Sequence, residues 1–203
     1  MNSAPSILLP TAYLGSVSYY SLIKNTAFHT IEKHENYIKQ TIRNRCTILG
    51  SNGMLPLTIP IDHSSGGKIK IADVKIFNTD QWQRIHWNAI LSSYNSSPFF
   101  EYYEDAFKPI YETKYDTLFE FNNALHLVVL KLLRLKSEVK VTDVYSSGDG
   151  CNDHTDYRVT KNICLQNECK EYYQVFSHKW GFQKDLSIID LLCNEGPRAL
   201  EYL

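Results

Sequence analysis

The amino-acid sequence predicts an α/β fold: one domain with a central mixed sheet, a helical middle and helices at the C-terminus. Its 203 residues suffice for one good core, so we expect a single domain over residues 1–203. Segments with the period of strands and of helices alternate from the N-terminus, which favours a sheet covered by helices. Hydrophobic residues at 43% and charged residues at 21% are ordinary values for a globular protein.

Five segments have the pattern of strands, being rich in apolar and β-branched residues and bounded by turn residues. They lie near residues 6–13, 27–33, 55–61, 69–76 and 138–145. The two prolines in "LPLTIPI" indicate an edge strand or an irregular strand. Between the first two strands, the apolar residues Val17, Tyr20 and Ile23 recur at helical spacing.

The middle of the chain predicts three helices. The first spans residues 80–94 and has its apolar side chains on one face. The second begins with Ser97 as a candidate N-cap and Pro98 at the first helical position. The third opens with Thr117 and Glu120 in the spacing of a capping box. Along the second helix we expect the aromatic residues Phe99, Tyr103 and Phe107 to face the core, and Glu101 and Asp105 to face solvent.

The C-terminal residues "LSIIDLLCNEGP" predict a helix, a tight turn and a further helix. Ser187 and Asp190 have the spacing of a capping box, which gives Asp190 an ordinary role at the helix N-terminus. Gly196 supplies a left-handed residue after this helix, and Pro197 begins the next one.

Composition limits the classes of function. A net charge of −1 argues against a general nucleic-acid binder, although a local basic patch stays open. The longest apolar run, "LHLVVLKLLRL", is interrupted by Lys131 and Arg134 and is too short for membrane insertion. The five scattered cysteines are most simply explained by a reduced, cytoplasmic setting. The 14 tyrosines indicate either an aromatic groove or half-buried core positions.

The densest polar segment is "ENYIKQTIRNRCTI", residues 35–48. Its two arginines, Arg43 and Arg45, flank Asn44, and guanidinium forks suit bidentate recognition of a phosphate or carboxylate. The alternative is a solvated basic turn, and the spacing alone does not decide between the two.

An extended conformation of this segment would place both arginines on one side, because side chains two residues apart in a strand share a face. Tyr37 and Lys39 have the same parity and would join that side. If the segment is instead paired internally, Glu32 and Glu35 are the nearest carboxylates.

His86 follows Trp82 by one helical turn on an apolar face. It is either a hydrogen-bonded core histidine or, if it lines a pocket, a general base of suitable pKa. The sequence contains neither G-x-S-x-G nor G-x-G-x-x-G, so a nucleophile elbow and a dinucleotide site have no support. Any cofactor is therefore unknown from the sequence.

A possible zinc ligand set has the pattern C-x2-H-x9-C-x4-C. Its members are Cys151, His154, Cys164 and Cys169. The spacing is poor for a structural zinc site, so we expect no bound metal there.

Four blocks of the sequence together resemble the WbqC-like family over nearly the whole chain. They are "YIKQTIRNR" (37–45), "LTIPI" (57–61), "WQRIHWNAILSSYNSSPFFEYYEDAFKPIYE" (82–112) and "YYQVFSHKWGFQKDLSIIDLLCNEGP" (172–197), with "DYR" (156–158) as a short additional element. The resemblance implies a role in polysaccharide and O-antigen biosynthesis, in which the protein binds or modifies a nucleotide-activated, amino-type sugar.

The resemblance also implies roles for particular residues. Lys39, Arg43 and Arg45 would hold phosphates, Tyr37, Asn44, Tyr94 and Gln174 would bind polar groups of the substrate, and His86 would be the base. Many members carry a His-Gln-Pro motif near the N-terminus, where this chain has Leu8, Leu9 and Pro10. A catalytic role for that histidine does not carry over.

Two hypotheses of function follow. One is a transferase-like enzyme acting on an activated sugar, and the other is a binding protein that kept the pocket and lost the chemistry. The observation that would best separate them is whether Arg43, Arg45, His86 and Gln174 line one cleft. The oligomeric state is not predicted.

Overall fold

The computed structural model describes residues 6–62, 68–78, 81–145, 154–159, 163 and 169–203. Its centre is a four-stranded sheet formed by β1 (Ser6–Pro10), β2 (Phe28–Glu32), β5 (Glu138–Val141) and β6 (His154–Asp156). The strand order is β5-β2-β1-β6, and all of the strand pairs are parallel. A separate antiparallel hairpin is formed by β3 (Arg45–Gly50) and β4 (Gly53–Thr58).

The helices follow the predicted distribution, and the α/β class is confirmed. They are α1 (Val17–Lys24), α2 (Trp82–Tyr94), α3 (Phe100–Glu112), α4 (Leu118–Leu132), α5 (Ser177–Trp180), α6 (Ile188–Glu195) and α7 (Ala199–Tyr202), with 3-10 turns at Ile71–Asp73 and Gly196–Arg198. Helix α2 packs on β3 and α3, α3 packs on α4, and α6 contacts α1, α3 and β3. Within the described ranges no helix combines the length and the apolar character needed to cross a bilayer.

Strand β1 is one of the two inner strands of the sheet, pairing with β2 on one side and β6 on the other. Its residues Ile7, Leu8 and Leu9 are all buried, as expected for a parallel strand covered on both faces. Helix α1 returns the chain from β1 to β2, and its first turn is capped by Ser16, whose hydroxyl accepts from the backbone N–H of Tyr19.

Two predicted strands are not in the central sheet. Residues 53–58 pair with β3 in the hairpin, whose tight turn uses Gly53 at φ 104°. Within residues 69–76 the chain forms a 3-10 turn at Ile71–Asp73 flanked by single bridges, and Ile71, Val74 and Ile76 are buried. The apolar residues of this segment are thus core residues, although they do not lie in a strand of the sheet.

The helix-start predictions have mixed outcomes. The capping box of Thr117 and Glu120 at α4 is confirmed. The start of α3 at Ser97 and Pro98 is wrong, because the helix begins at Phe100 and the Ser97 hydroxyl instead donates to the Tyr94 carbonyl. The α6 capping box is wrong as well, since the Ser187 hydroxyl donates to the carbonyl of Leu14 in the loop after β1. Tertiary hydrogen bonds compete with local caps here.

Gly196 confirms the predicted turn after α6. Its φ is +56°, and a side chain at this position would lie 2.4 Å from the ring of Phe99. Both the backbone conformation and the close approach of that ring therefore require glycine.

The aromatic face of α3 points inward as expected. Phe107 is buried, Phe99 and Tyr103 are half-buried, and Glu101 and Asp105 are exposed. Phe107 is thus a core residue of this helix.

A buried pair of histidines joins β2 to α4. The Nε2 atoms of His29 and His126 lie 2.8 Å apart. The Nδ1 of His29 is hydrogen-bonded to the Ser137 hydroxyl, and the Nδ1 of His126 to the Tyr20 hydroxyl. Burial lowers the pKa of His29 to about 4 and that of His126 to about 3, the neighbouring His29 lowering the latter further. Both rings are therefore neutral at pH 7, and one donates to the other.

Replacing Phe107 by alanine should lower the free energy of unfolding by about 3–5 kcal/mol, because a buried aromatic ring is lost and a cavity remains. Tyr102→Ala, at a side chain that is 75% exposed on the same helix, should change it by less than about 0.5 kcal/mol. Urea denaturation of the two variants measures the difference. Equal midpoints would show that the assignment of the helix face is wrong.

The histidine pair predicts acid sensitivity. Because the folded-state pKa values lie below the unfolded value of about 6.5, the contribution of each ring is complete above pH 6.5 and is lost as the pH falls toward 4 and 3. Each ring should account for a loss of about 2 kcal/mol in the free energy of unfolding between pH 7 and pH 5. His126→Gln should shrink the loss of unfolding free energy over this interval by roughly that amount.

The exposed His178→Gln variant is the matched control for this measurement and should show the same loss as the wild type. A His126→Gln protein with an undiminished loss would contradict the assignment.

Candidate functional site

Two adjoining cavities lie beside the turns at residues 39–44, and we refer to them as the larger and the smaller cavity. The larger cavity, of about 300 Å³, is lined by Tyr13, Leu14, Gly15, Ser16, Gln40, Thr41, Ile42, Arg45, Cys46, Thr47, Ile163, Asp185 and Ser187. The smaller cavity, of about 230 Å³, is lined by Tyr37, Lys39, Gln40, Asn44, Arg45, Thr58, Ile59, Pro60 and Ile61. Gln40 and Arg45 line both cavities and form their common wall.

The larger cavity lies where open α/β sheets bind ligands, outside the carboxyl end of a parallel strand. Its walls include the residues that follow β1 and Ile163, which follows β6. Of the five non-glycine residues with positive φ in the described part of the chain, Leu14, Gln40 and Asp185 line this cavity. Such conformations cost about 1–3 kcal/mol each and collect at functional sites.

The N-terminus of α1 borders the larger cavity, but its N–H groups already have partners in the protein. The backbone N–H of Ser18 donates to the Asp185 carboxylate at 2.9 Å, and that of Val17 donates to the Leu186 carbonyl at 3.0 Å. The helix end is therefore satisfied internally and needs no bound anion.

The smaller cavity brings together four of the predicted substrate-binding residues: Tyr37, Lys39, Asn44 and Arg45. Its lining, as far as the structure describes the chain, contains two cations and no carboxylate. Within the described ranges neither Lys39 nor Arg45 forms an ion pair. The Nε of Arg45 donates to the Thr58 hydroxyl at 3.0 Å, which fixes the direction of the guanidinium.

Asn44 adds a buried acceptor to this wall. Its Nδ2 donates to the Ile59 carbonyl at 3.2 Å, whereas its Oδ1 is buried and has no hydrogen-bond partner among the described residues. A buried polar atom without a partner costs about 1–3 kcal/mol, and this oxygen is shielded from the cavity by its neighbours.

Arg43 does not face either cavity. Its Nε and Nη2 atoms donate to the two carboxylate oxygens of Glu35, each at 2.7 Å, and the arginine is only 1% exposed. The extended conformation that would place both arginines on one side is not present, because residues 39–44 form turns and β3 begins only at Arg45. The turns direct Arg43 into the interior and leave Arg45 at the surface of the cavities.

A second ion cluster supports this arrangement at the carboxyl ends of the strands. Arg158 contacts Asp156 at 2.6 Å and Glu32 at 3.9 Å, and its carbonyl accepts from Arg43 at 3.2 Å. Burial alone would raise the pKa of Asp156, but hydrogen bonds from Arg158 lower it overall. The sequence blocks 37–45 and 156–158 thus meet in one network.

His86 lies behind the cavities and does not line them. Its Nδ1 is 2.9 Å from the hydroxyl of Tyr13, and its ring also hydrogen-bonds the backbone of Thr58. Burial lowers the pKa of His86 to about 4, and the Thr58 bond only partly offsets this. Tyr13 lines the larger cavity and Thr58 the smaller one, so His86 holds the two walls together.

Tyr94 and Gln174 lie elsewhere, in a cluster around Asp190. Burial raises the pKa of Asp190 to about 6, against hydrogen bonds from Tyr172, Tyr94 and Gln174. The Tyr172 hydroxyl donates to the Asp190 carboxylate at 2.7 Å, and the Gln174 amide makes two 2.9 Å bonds to the backbone of Gln183. Asp190 is thus a buried acid and not a solvated helix cap.

The structure therefore divides the predicted site. Arg45 lines both cavities, whereas Arg43, His86 and Gln174 are buried in three different hydrogen-bonded clusters. Ligand contact by those three residues, and by Tyr94, stays a prediction.

The zinc prediction falls mostly outside the described residues. Cys151 and Cys164 are not described, and the same holds for the side chain of His154. Cys169 is a half-buried free thiol. Among the described residues no group of three or more histidine, cysteine, aspartate or glutamate side chains could hold a metal ion.

The larger cavity could not be found from local sequence patterns, because its walls come from four segments that are distant in the sequence. Backbone bonds join them: Val17 N–H to the Leu186 carbonyl at 3.0 Å, and Ser187 N–H to the Thr47 carbonyl at 2.8 Å. No local pattern marks such a meeting.

The fold and the site define a parallel-sheet α/β protein with two adjoining cavities, the larger beside the carboxyl end of β1 and the smaller lined by Lys39 and Arg45. The chain belongs to the WbqC-like protein family, which matches residues 11–176. An uncharacterised protein of Mycobacterium tuberculosis is 26% identical, over 97% of this chain and 96% of its own length. No solved structure matches this chain.

The two arginines should respond differently to substitution. Arg43→Ala leaves Glu35 buried without its partner and should lower the free energy of unfolding by about 3–5 kcal/mol. Arg45→Ala removes a half-buried side chain without an ion pair in the described ranges, and should cost less than about 1 kcal/mol. Urea midpoints of both variants measure this, and equal losses would contradict the division of roles.

Proposed function

We propose that this WbqC-like protein binds a phosphorylated or nucleotide-linked ligand, of the nucleotide-activated amino-sugar class, in the smaller cavity. The observation that carries the proposal is a cavity whose described lining has two cations, Lys39 and Arg45, and no carboxylate. The family resemblance supports a ligand that contains a sugar, and it supports a role in cell-surface polysaccharide biosynthesis.

The two cations offer complementary contacts to a phosphate. A guanidinium binds two oxygens at once, whereas an ammonium acts as a compact point charge. Arg45 is oriented in advance by its bond to Thr58, so less side-chain entropy is lost on binding. The chain as a whole has a net charge of −1, so the positive cavity is a local feature.

The polar neighbours suit the group attached to the phosphate. The half-buried Tyr37 can stack against a ligand or hydrogen-bond to it, and Asn44 lines the same cavity. A cytoplasmic location is part of this proposal and is supported by the free thiols of Cys46, Cys169 and Cys193.

A binding protein without catalysis is the second candidate, and the surroundings of His86 favour it. The ring is 6% exposed and has partners in Tyr13 and Thr58, so it could reach a ligand only through the Tyr13 hydroxyl. Incubation with a panel of nucleotide-sugars, followed by phosphorus NMR, separates the candidates. Turnover that a His86→Asn variant lacks supports the transferase, and binding without turnover supports the second candidate.

Calorimetric titration with uridine diphosphate-linked sugars tests the anion site. Each charge-assisted contact is worth about 1.5–3 kcal/mol, so Arg45→Ala should weaken binding roughly ten- to a hundred-fold, and Lys39→Ala should weaken it as well. Arg84→Ala, at an exposed arginine of α2 outside both cavities, is the matched control and should bind like the wild type. Absence of binding to the wild type at millimolar ligand would refute the proposal.

A further inference from the structure

We infer that the larger cavity is a second subsite, which holds an uncharged sugar ring joined directly to the phosphate bound by Arg45. This inference rests on the proposed function. It assigns a cavity of which only Arg45 had been connected with the ligand from the sequence, and it names the chemical class of that part of the ligand as a glycosyl phosphate.

The common wall determines where the phosphate must lie. Arg45 and Gln40 line both cavities, so an anion held by the Arg45 guanidinium sits at their junction. A substituent on the phosphate can then enter the larger cavity without leaving that contact. Cavity volumes of about 300 and 230 Å³ together fall within the range of roughly 300–1,000 Å³ that is usual for small-molecule sites.

The walls of the larger cavity suit a ring with one apolar face and hydroxyl edges. Leu14, Ile42 and Ile163 provide apolar surface, while Asp185 and Thr47 provide an acidic acceptor and a hydroxyl. Small-molecule sites combine such apolar walls with a few fixed polar groups. The Asp185 carboxylate is fixed, since one of its oxygens accepts from the Ser18 N–H at 2.9 Å.

A second anion and a nucleobase fit this cavity less well. The N–H groups of Val17 and Ser18 at the nearby helix end already have protein partners and are not open to an anion. The aromatic residue of the lining, Tyr13, is fully buried, with its hydroxyl bonded to His86 and Tyr111, so it offers no open ring face for stacking.

Affinities for methyl phosphate and α-D-glucose 1-phosphate, measured by calorimetry on the full chain, test the inference. The wild type should bind the sugar phosphate at least about ten-fold more tightly, because the ring adds hydrogen bonds and apolar contact. In the double variant Asp185→Asn/Thr47→Val, the ratio of the sugar phosphate affinity to the methyl phosphate affinity should fall close to one. Its methyl phosphate affinity should stay within about two-fold of that of the wild type. The asparagine side chain in this variant would still accept from Ser18, and asparagine tolerates the positive φ of position 185.

Asp105→Asn, at an exposed position of α3, is the matched control and should keep the wild-type ratio. Gln40→Gly is a second test variant in case the double variant is unstable, because glycine suits the φ of +56° at this position. The Gln40→Gly variant should also lower the ratio of the sugar phosphate affinity to the methyl phosphate affinity.

The outcomes separate the two proposals. Equal wild-type affinities, or a ratio that persists in the double variant, would overturn the sugar subsite, while Arg45-dependent binding of methyl phosphate would leave the anion site standing. If neither probe binds at millimolar concentration, the proposed function fails and the sugar subsite fails with it.

Discussion

The buried ion pair between Arg43 and Glu35 is the constraint on which the candidate site depends. Moving two charges out of water costs several kcal/mol per ion, and only good geometry with further hydrogen bonds offsets it. This pair has two 2.7 Å bonds, and Arg43 also donates to the Arg158 carbonyl. The pair holds the turns at residues 39–44, from which Lys39, Gln40 and Arg45 extend to the cavities.

Two arginines that are only two residues apart, Arg43 and Arg45, therefore have opposite surroundings. Arg43 is neutralised inside the protein, whereas Arg45 stands in the common wall of two cavities with its Nε held by Thr58. A ligand would complete the charge balance of Arg45, as Glu35 completes that of Arg43. The difference lies in the turn geometry and not in the residue type.

The interior is rich in polar groups that bond one another. Tyr13 with His86, Tyr20 with His126 and Tyr172 with Asp190 are buried, and each pair joins elements that are distant in the sequence. Tyrosine and histidine rings combine apolar area with a polar group that needs a partner, so such pairs are specific as well as cohesive. Many tyrosines of this chain are thus core residues, and the buried ones in the described ranges are Tyr13, Tyr19, Tyr20, Tyr94, Tyr111, Tyr157 and Tyr172.

Local sequence was sufficient to predict the α/β class, the capping box at Thr117 and the glycine turn at Gly196 after α6. These features depend on neighbouring residues, whose periodicity and turn chemistry act locally. Contacts between distant segments were needed to establish that Arg43 bonds the Arg158 carbonyl, and that Asp185 and Ser187 complete the larger cavity. Those outcomes depend on hydrogen-bond register and packing across the fold, and local periodicity encodes which side chains are buried without specifying their partners.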